Sequence, residues 1–233
     1  MINNLKNKTY LFISQKKLVI IVYNDENKVI YKNEKIKREQ TDKSEFKFLK
    51  KFLSQNIFKI EKKINQFINN IFLIIDLDEV YSIKLSIKNK LDNVLLDNNS
   101  INSLLADAKN SCDKTLENVN VIHMIIDRFF LDDKCYEVFP DQQNCKTFSI
   151  DLSFICISKH ILKNFHKILS EYQISIEKVL SKKYLSSFSK ENDSDLFFTA
   201  QKILNGFNKN EVFLTSKSIK NKGFFEKFFN FFN

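Results

Sequence analysis

Glycine is almost absent from this sequence of 233 residues. Only Gly206 and Gly223 occur. Loops that cradle phosphate groups depend on glycine, because they take positive φ angles and bring backbone N–H groups close to the ligand. The scarcity of glycine therefore excludes a Walker loop, a dinucleotide-binding fingerprint and the glycine-rich loop of a protein kinase.

Arginine is the second scarce residue. Only Arg38 and Arg128 occur, although the formal net charge is +9. Arginine is the side chain that pairs bidentately with phosphates and bases, and the lysines of this chain are spread out rather than concentrated in one patch. We interpret the excess of Lys, Asn, Ile and Phe as a compositional bias of the whole genome. The sequence therefore predicts no nucleic-acid partner.

Metal-ligand spacing is also missing. The four cysteines form no CxxC motif and the histidines form no cluster, so we predict no metal site and expect reduced thiols. These residues are Cys112, Cys135, Cys145, Cys156, His123, His160 and His166. We interpret His123 as a core or interface residue and the other two histidines as surface residues. The polar first eight residues and the lack of a long apolar run predict neither a signal peptide nor a membrane-spanning helix.

Three short strands are predicted at the start of the chain. The strand segments are 10–13, 18–23 and 28–31, which are apolar apart from Lys28, and Asn24-Asp25-Glu26-Asn27 supplies turn chemistry. The pattern predicts a small antiparallel meander. The charged segment 32–43 that follows predicts a solvated loop.

A long helix and a buried strand come next. Apolar residues from Phe46 to Phe67 recur with a helical period, and Asp42 and Glu45 are placed as a capping pair. Residues 71–75 form a continuous apolar run, which is typical of a strand buried on both faces.

The middle of the chain alternates between strand and helix patterns. Residues 81–88 alternate strictly between apolar and polar types, and a helix is predicted over 101–112 with Ser100 as its N-cap. Residues 148–157 predict a half-buried strand, and 161–172 carry the apolar stripe of an amphipathic helix. This order predicts a mixed α+β fold in which helices cover one face of a sheet.

Several of these segments resemble FtsA, a family of bacterial cell-division proteins. The resemblance is to the first actin-like subdomain of that family (1A) and to the SHS2-type subdomain inserted into it (1C). Residues 121–133 are similar to the family's ILHxIPxxFxVDG strand, and 148–157 are similar to the strand that follows. Residues 174–186 resemble the GLxVxxxVxxPYAS exit from 1C. The resemblance covers most of residues 9–187.

The departures from the family are as informative as the matches. The first strand of the family carries an Asp-x-Gly phosphate loop, and the matching segment 12–17 reads Phe-Ile-Ser-Gln-Lys-Lys. No second Asp-x-Gly follows Phe188, and residues 194–206 resemble the helix that returns to subdomain 1A. The second half of the nucleotide cleft, and the subdomain that holds FtsZ in the family, are therefore expected to be missing. We predict no ATP binding and no other cofactor.

The resemblance implies a truncated actin-like subdomain 1A with an inserted SHS2-like 1C subdomain and a C-terminal amphipathic helix. The predicted parts are a partial subdomain 1A over 1–79, a 1C-like subdomain over 80–181, a returning helix over 182–207, a flexible linker over 208–222 and a membrane-targeting helix over 223–233.

The last eleven residues are rich in phenylalanine. On a helical projection their aromatic side chains fall within an arc of roughly 160°, and lysines lie beside them. Such a face predicts reversible binding to anionic lipids, with docking on the protein core as the alternative. The predicted membrane-binding residues are Phe224, Phe225, Phe228, Phe229, Phe231, Phe232, Lys220, Lys222 and Lys227.

The resemblance implies a non-catalytic peripheral protein on the cytoplasmic side of the bacterial inner membrane, at the division site. Its expected partners are anionic lipids, other cell-division proteins and further copies bound through the 1C-like subdomain. Two alternatives stay open: an actin-like assembly protein of a pilus or secretion system, and a lysine-rich nucleic-acid-binding protein. A steep salt dependence of DNA binding would favour the latter.

Two pairs of acidic residues are the only candidates for an enzymatic site. Asp76 and Asp78 follow a predicted strand, and Asp132 and Asp133 lie in a predicted turn. Solvated acids are ordinary at both kinds of position, so we predict no catalytic residue and no enzyme.

Overall fold

The computed structural model describes residues 7–37, 45–188 and 193–212. The described residues up to 80, together with those from 158 to 202, form a first compact unit. The described residues 81–157 and 203–212 form a second one. Each unit contains a β-sheet of its own.

The structure contains ten strands and five helices within the described residues. The strands are β1 (Lys8–Ser14), β2 (Lys17–Tyr23), β3 (Val29–Ile36), β4 (Asn70–Asp76), β5 (Val80–Leu95), β6 (Val119–Leu131), β7 (Lys134–Tyr136), β8 (Asn144–Ser158), β9 (Ser175–Ser181) and β10 (Glu211–Val212). The helices are α1 (Glu45–Ile64), α2 (Asn98–Thr115), α3 (Lys159–Ser170), α4 (Lys182–Ser186) and α5 (Asp193–Leu204).

The first sheet has the strand order β3-β2-β1-β4-β9. Its β1, β2 and β3 strands form the antiparallel meander that the sequence predicts. By contrast, β4 runs parallel to both β1 and β9. Six consecutive residues of β1 and six of β2 are buried, which is the pattern of strands covered on both faces.

Helices α1 and α3 contribute an apolar stripe to the core of the first unit. The buried residues of α3 are Leu162, Phe165, Ile168 and Leu169, spaced as one face of an amphipathic helix. Phe46 of α1 meets Phe165 edge-on, with ring centroids 5.7 Å apart. The burial of these side chains stabilises both helices, since most helical stability in proteins comes from the packing of an apolar face.

The second sheet has the order β10-β6-β8-β5, with β7 paired to β6. Helix α2 lies on one face through Ile101, Leu104 and Ala108, which share a buried cluster with alternate residues of β6 and β8. In β6 the alternation of buried and exposed side chains is interrupted between Ile126 and Phe129. Both of these residues are buried, and the two residues between them are exposed. The opposite face of β8 carries partly exposed polar side chains.

The predicted fold class is confirmed, because the structure combines helices with two sheets. Several predicted bounds are wrong. The segment predicted as a loop contains the end of β3 at Ile36, and α1 ends at Ile64 rather than near Phe67. The N-cap of α2 is Asp97, whose carboxylate accepts a hydrogen bond from the Ser100 N–H, so Ser100 is not the cap.

The structure also divides the chain differently from the predicted parts. The second unit begins at Tyr81, close to the predicted boundary, but α3 and β9 belong to the first unit because β9 pairs with β4. Residues 211 and 212, within the predicted linker, form β10. Asp42, residues 213–222 of the predicted linker and the predicted helix 223–233 lie outside the described residues.

Candidate functional site

The carboxyl ends of three parallel strands meet at one edge of the first sheet. Strands β1, β4 and β9 end at Ser14, Asp76 and Ser181. Ser14 pairs in register with Asp76, and Ile75 pairs with Ser181. Ligand sites of sheets with parallel strands lie at this end, so the edge is the first place to look for function.

An open depression of about 330 Å³ occupies this edge. The turn between β1 and β2 forms one side of it, and the residues that follow β4 and β9 form the other. Its lining residues are Phe12, Ser14, Gln15, Lys16, Lys17, Asp76, Leu77, Asp78 and Lys182. The structure thus brings segment 12–17 together with Asp76 and Asp78.

The β1–β2 turn is closed by the side chain of Ser14. Its hydroxyl oxygen accepts hydrogen bonds from the backbone N–H groups of Lys16 (3.3 Å) and Lys17 (3.0 Å) and donates one to the Lys17 carbonyl (3.0 Å). An anion bound at this turn would need these two backbone N–H groups as hydrogen-bond donors. No residue of this turn is among those with positive φ in the described chain.

The two carboxylates of the site are each bound by a side chain. Lys182 donates a hydrogen bond to Oδ2 of Asp76 at 2.9 Å, and both side chains are a little over one third exposed. The amide nitrogen of Gln15 donates to Oδ2 of Asp78. Asp76 and Asp78 therefore do not act as a free carboxylate pair, because each has a separate neutral or cationic partner.

These contacts occupy several polar groups at this edge. The Lys16 and Lys17 amides donate to Ser14, and Lys182 is paired with Asp76. The Ser14 hydroxyl, itself almost fully buried, is held by the backbone rather than by a general base. The arrangement can fix the edge of the sheet and present charge to a partner.

Lys182 is the site residue that sequence reasoning missed. It directly follows β9 and reaches a strand 106 positions earlier in the chain. A signal was present, because residues just after the ends of neighbouring parallel strands gather at one edge. Using that signal requires knowing that β9 joins the first sheet.

Asp132, the first acid of the second pair, has a structural role in the turn after β6. Oδ1 of Asp132 accepts hydrogen bonds from the backbone N–H groups of Thr147 (2.8 Å) and Lys146 (3.0 Å). The Thr147 bond is the main reason why the pKa of Asp132 lies below its ordinary value. Asp132 also has a positive φ of 49°, which an aspartate tolerates in a turn.

The histidines and cysteines lie as the sequence predicts. His123 is buried in the second unit, and its Nδ1 lies 2.8 Å from Oε1 of Glu211. His160 and His166 are exposed on α3. All four cysteines are free thiols. Among residues 7–37, 45–188 and 193–212, no cluster of His, Cys, Asp and Glu is arranged to hold a metal ion.

The predicted membrane-binding residues cannot be placed. Phe224, Phe225, Phe228, Phe229, Phe231, Phe232, Lys220, Lys222 and Lys227 all lie outside the described residues. In the part of the chain that the structure describes, every helix is too short or too polar to cross a bilayer.

No family model and no curated protein matches the chain. Several solved structures are similar to it, and three of these are as follows. The cytoplasmic domain of EpsL, an inner-membrane component of the type II secretion system of Vibrio cholerae, is 11% identical, with a TM-score of 0.41 over 81% of this chain and 61% of that chain. A PilM-PilN type IV pilus biogenesis complex is 10% identical, with a TM-score of 0.45 over 78% and 49%.

The third similar structure is a Bacteroides thetaiotaomicron protein with an actin-like ATPase fold and unknown function. It is 13% identical, with a TM-score of 0.33 over 81% of this chain and 58% of that one. This chain spans less than two thirds of the length of each of the three. Each is a likeness in fold alone.

Proposed function

We propose that this chain is a non-catalytic adaptor in a membrane-associated protein assembly. The observation that carries the proposal is the β1–β2 turn, whose Lys16 and Lys17 amides donate to the Ser14 hydroxyl oxygen. We infer that a turn with these amides occupied does not hold phosphate, although the sheet that carries it has all five strands. A protein that has this fold but binds no ligand there would act by binding partner proteins at its surface.

The charges of the depression support the same conclusion. The Lys182–Asp76 pair and the Gln15–Asp78 hydrogen bond link the ends of β1, β4 and β9 across the place where a ligand would sit. Such links hold the strand ends together without a bound nucleotide. We therefore infer that the first unit is stable as a rigid scaffold in the absence of ATP.

Calorimetric titration with a non-hydrolysable ATP analogue and Mg²⁺ tests the loss of nucleotide binding. We expect no heat of binding for the full chain. The Lys182→Ala variant serves as a control, because it frees Asp76 and should also fail to bind an anion. Saturable binding by the unaltered chain that Lys182→Ala weakens would overturn the proposal.

Two assemblies are candidates for the adaptor. One is a pilus or secretion system, the kind of machine to which EpsL and the PilM-PilN complex belong. The other is the cell-division apparatus that the resemblance to FtsA implies. A fluorescent fusion of the full chain separates them: foci at the cell poles support the first, and bands at midcell support the second. Diffuse fluorescence through the cytoplasm contradicts both.

Attachment to the membrane is tested separately. The six phenylalanines between residues 224 and 232 would bury apolar rings in the lipid, and the lysines beside them would attract an anionic surface. The full chain should co-sediment with liposomes that contain anionic lipid, and a chain ending at Lys222 should not. Equal sedimentation of the two chains would contradict this part of the proposal. DNA binding that is unchanged by the truncation and falls steeply with salt would favour the nucleic-acid alternative instead.

A further inference from the structure

Strand β5 forms a long outer edge of the second sheet. It extends over residues 80–95, and β8 is its sheet neighbour. Within the described residues no strand pairs with its other side. An outer strand presents a row of backbone N–H and C=O groups that another strand can pair with. This edge is therefore a place where a partner could add a strand to the sheet.

The side chains of β5 divide into two rows. Ile83, Leu85 and Ile87 are partly buried against the core of the second unit. Between them, Ser82, Lys84, Ser86 and Lys88 are exposed. The apolar row is only half covered, because it lies at the margin of the core. An added strand with apolar residues at alternate positions would cover it further.

The carboxylates on the polar face near β5 are already bound. Asp151 of β8 accepts a hydrogen bond from the Ser86 hydroxyl (2.6 Å) and forms an ion pair with Arg128 (2.9 Å). Asp127 accepts a hydrogen bond from the Ser153 hydroxyl (2.6 Å). Asp151 is the acid that the polar face holds in an ion pair, so Lys84 and Lys88 add positive charge that is unpaired among the described residues on the β5 side of this margin.

The side chains of Lys84 and Lys88 have no hydrogen bond or ion pair with any described residue. They stand on the same face of the strand, about 13 Å apart at 3.3 Å per residue. A second copy of this chain paired antiparallel about Ser86 would place Lys84 of one copy opposite Lys88 of the other. Like charges directly opposite each other destabilise a strand pair, so the lysines disfavour self-pairing. They favour a strand that carries acids.

We propose that the outer edge of β5, over residues 82–90, binds an extended segment of a partner protein as an added strand. The segment would carry acidic residues at the positions facing Lys84 and Lys88. Its alternate positions would be apolar and would lie beside Ile83, Leu85 and Ile87. The backbone supplies affinity and the two side-chain rows supply selectivity. This inference does not depend on the fate of the nucleotide site or on membrane attachment.

A capped and fluorescein-labelled peptide of four Val-Glu repeats is the probe. We expect it to bind the full chain in fluorescence anisotropy, whereas four Val-Lys repeats should not bind. The double variant Lys84→Glu/Lys88→Glu should weaken binding by about tenfold, because two cross-strand attractions become repulsions. The control variant Lys163→Glu/Lys167→Glu makes the same change of charge on exposed residues of α3 and should bind normally.

Two N-methylated peptides test for strand addition itself. One is methylated at every valine amide and the other at every glutamate amide. A strand pairs with a single neighbour through the N–H groups of alternate residues, so one of the two should bind and the other should not. Amide chemical shifts of residues 82–90 should change with the peptide that binds.

Three results would overturn the proposal. Equal binding of the Val-Glu and Val-Lys peptides would show that charge does not select the segment. Equal binding of the two methylated peptides, or a failure of both to bind, would exclude pairing through one set of amides. A dimer of the chain in sedimentation that the Val-Glu peptide dissociates would assign the edge to a second copy of this protein.

Discussion

The side chains of His123 and Glu211 lie 2.8 Å apart in the second unit and are 0% and 2% exposed. They join β6 to the two-residue strand β10, which also pairs with β6 through its backbone. A strand this short has little pairing energy of its own. The buried side-chain contact is therefore a main reason why residues 211 and 212 form a strand.

Removing one partner of this pair should destabilise the protein strongly. For His123→Ala we expect a loss of about 3 kcal/mol in the free energy of unfolding, because the buried Glu211 carboxylate would lose its contact with the imidazole. Urea unfolding followed by circular dichroism measures the loss. His166→Ala, on the exposed face of α3, is the matched control and should change little.

The double variant His123→Leu/Glu211→Leu tests the reason for the loss. Replacing both groups by apolar side chains removes the buried charge as well as the contact, so this variant should be more stable than His123→Ala. If His123→Ala is as mild as the surface control, the pair does not hold β10 in place.

A second prediction concerns Asn56, which is buried on α1. Its Oδ1 accepts hydrogen bonds from the Tyr31 hydroxyl and from Nδ2 of Asn33, each at 2.6 Å, and its own Nδ2 donates to the Phe52 carbonyl at 2.7 Å. Asn56→Ala leaves two donors of β3 unpaired against the helix. We expect a loss of about 2 kcal/mol in the free energy of unfolding.

Denaturant unfolding of Asn56→Ala beside Gln55→Ala provides the comparison. Gln55 is the exposed neighbour on the same helix, so its replacement should have a much smaller effect. Equal losses for the two variants would mean that the hydrogen bonds of Asn56 do not stabilise the packing of β3 on α1.

A third prediction is a pH dependence at the start of α2. The hydrogen bond from the Ser100 backbone N–H is the main cause that holds the pKa of Asp97 below its ordinary value. Because the folded-state pKa is depressed, the carboxylate stabilises the fold above its unfolded pKa of about 3.9, and this contribution is lost as the pH falls through the folded value. Asp97→Ala should reduce the free energy of unfolding by about 1 kcal/mol at neutral pH.

The difference between Asp97→Ala and the unaltered chain should shrink below about pH 4, where the carboxylate becomes protonated. Asp97→Asn keeps an oxygen that can cap the helix but carries no charge. At neutral pH its free energy of unfolding should therefore stay close to that of the unaltered chain. As the pH falls, it should not show the loss that protonation of Asp97 causes. A constant difference for Asp97→Ala from pH 7 to pH 3 would contradict the assigned role of the charge.

A fourth prediction separates the thiols by burial. Burial raises the pKa of Cys156 to about 12, and it also raises the pKa values of Cys112 and Cys145. Thiolates are the reactive form, so these three residues should not react with a disulfide reagent at pH 8 in the folded chain. Cys135 is exposed and should react alone.

A colorimetric thiol assay should give one reactive group in the folded chain and four after unfolding. Cys135→Ser should abolish the reaction of the folded chain and reduce the unfolded count to three. Fast reaction of a second thiol under folding conditions would mean that the core of the second unit opens readily.

The sequence predicted the elements whose side-chain periods are strong. Residues 71–75 and 161–172 became β4 and α3, because a doubly buried strand and a one-sided helix each leave a clear pattern. The charged end of β3 gave no such signal. An outer strand needs only one face of apolar residues, so Lys32 to Ile36 read as a loop although they pair with β2.

The candidate site was only half predictable. The lack of glycine in segment 12–17 was visible from the sequence, and so were Asp76 and Asp78 as acids that follow a strand. The hydrogen bond that Lys182 donates to Asp76 could not be predicted, because the two residues are distant in the sequence. Strand order across a long insertion depends on tertiary packing, which no local pattern encodes.

The pairing of β9 with β4 has a consequence for biosynthesis. Asn70 pairs with Ser175, and the whole second unit up to residue 157 is translated between them. Until β9 leaves the ribosome, β4 is an uncovered margin of a hydrophobic sheet and a hazard for aggregation. The nascent chain must therefore keep its first half from misassembling while the inserted half is still being made, and this is the interval in which a chaperone would be needed most.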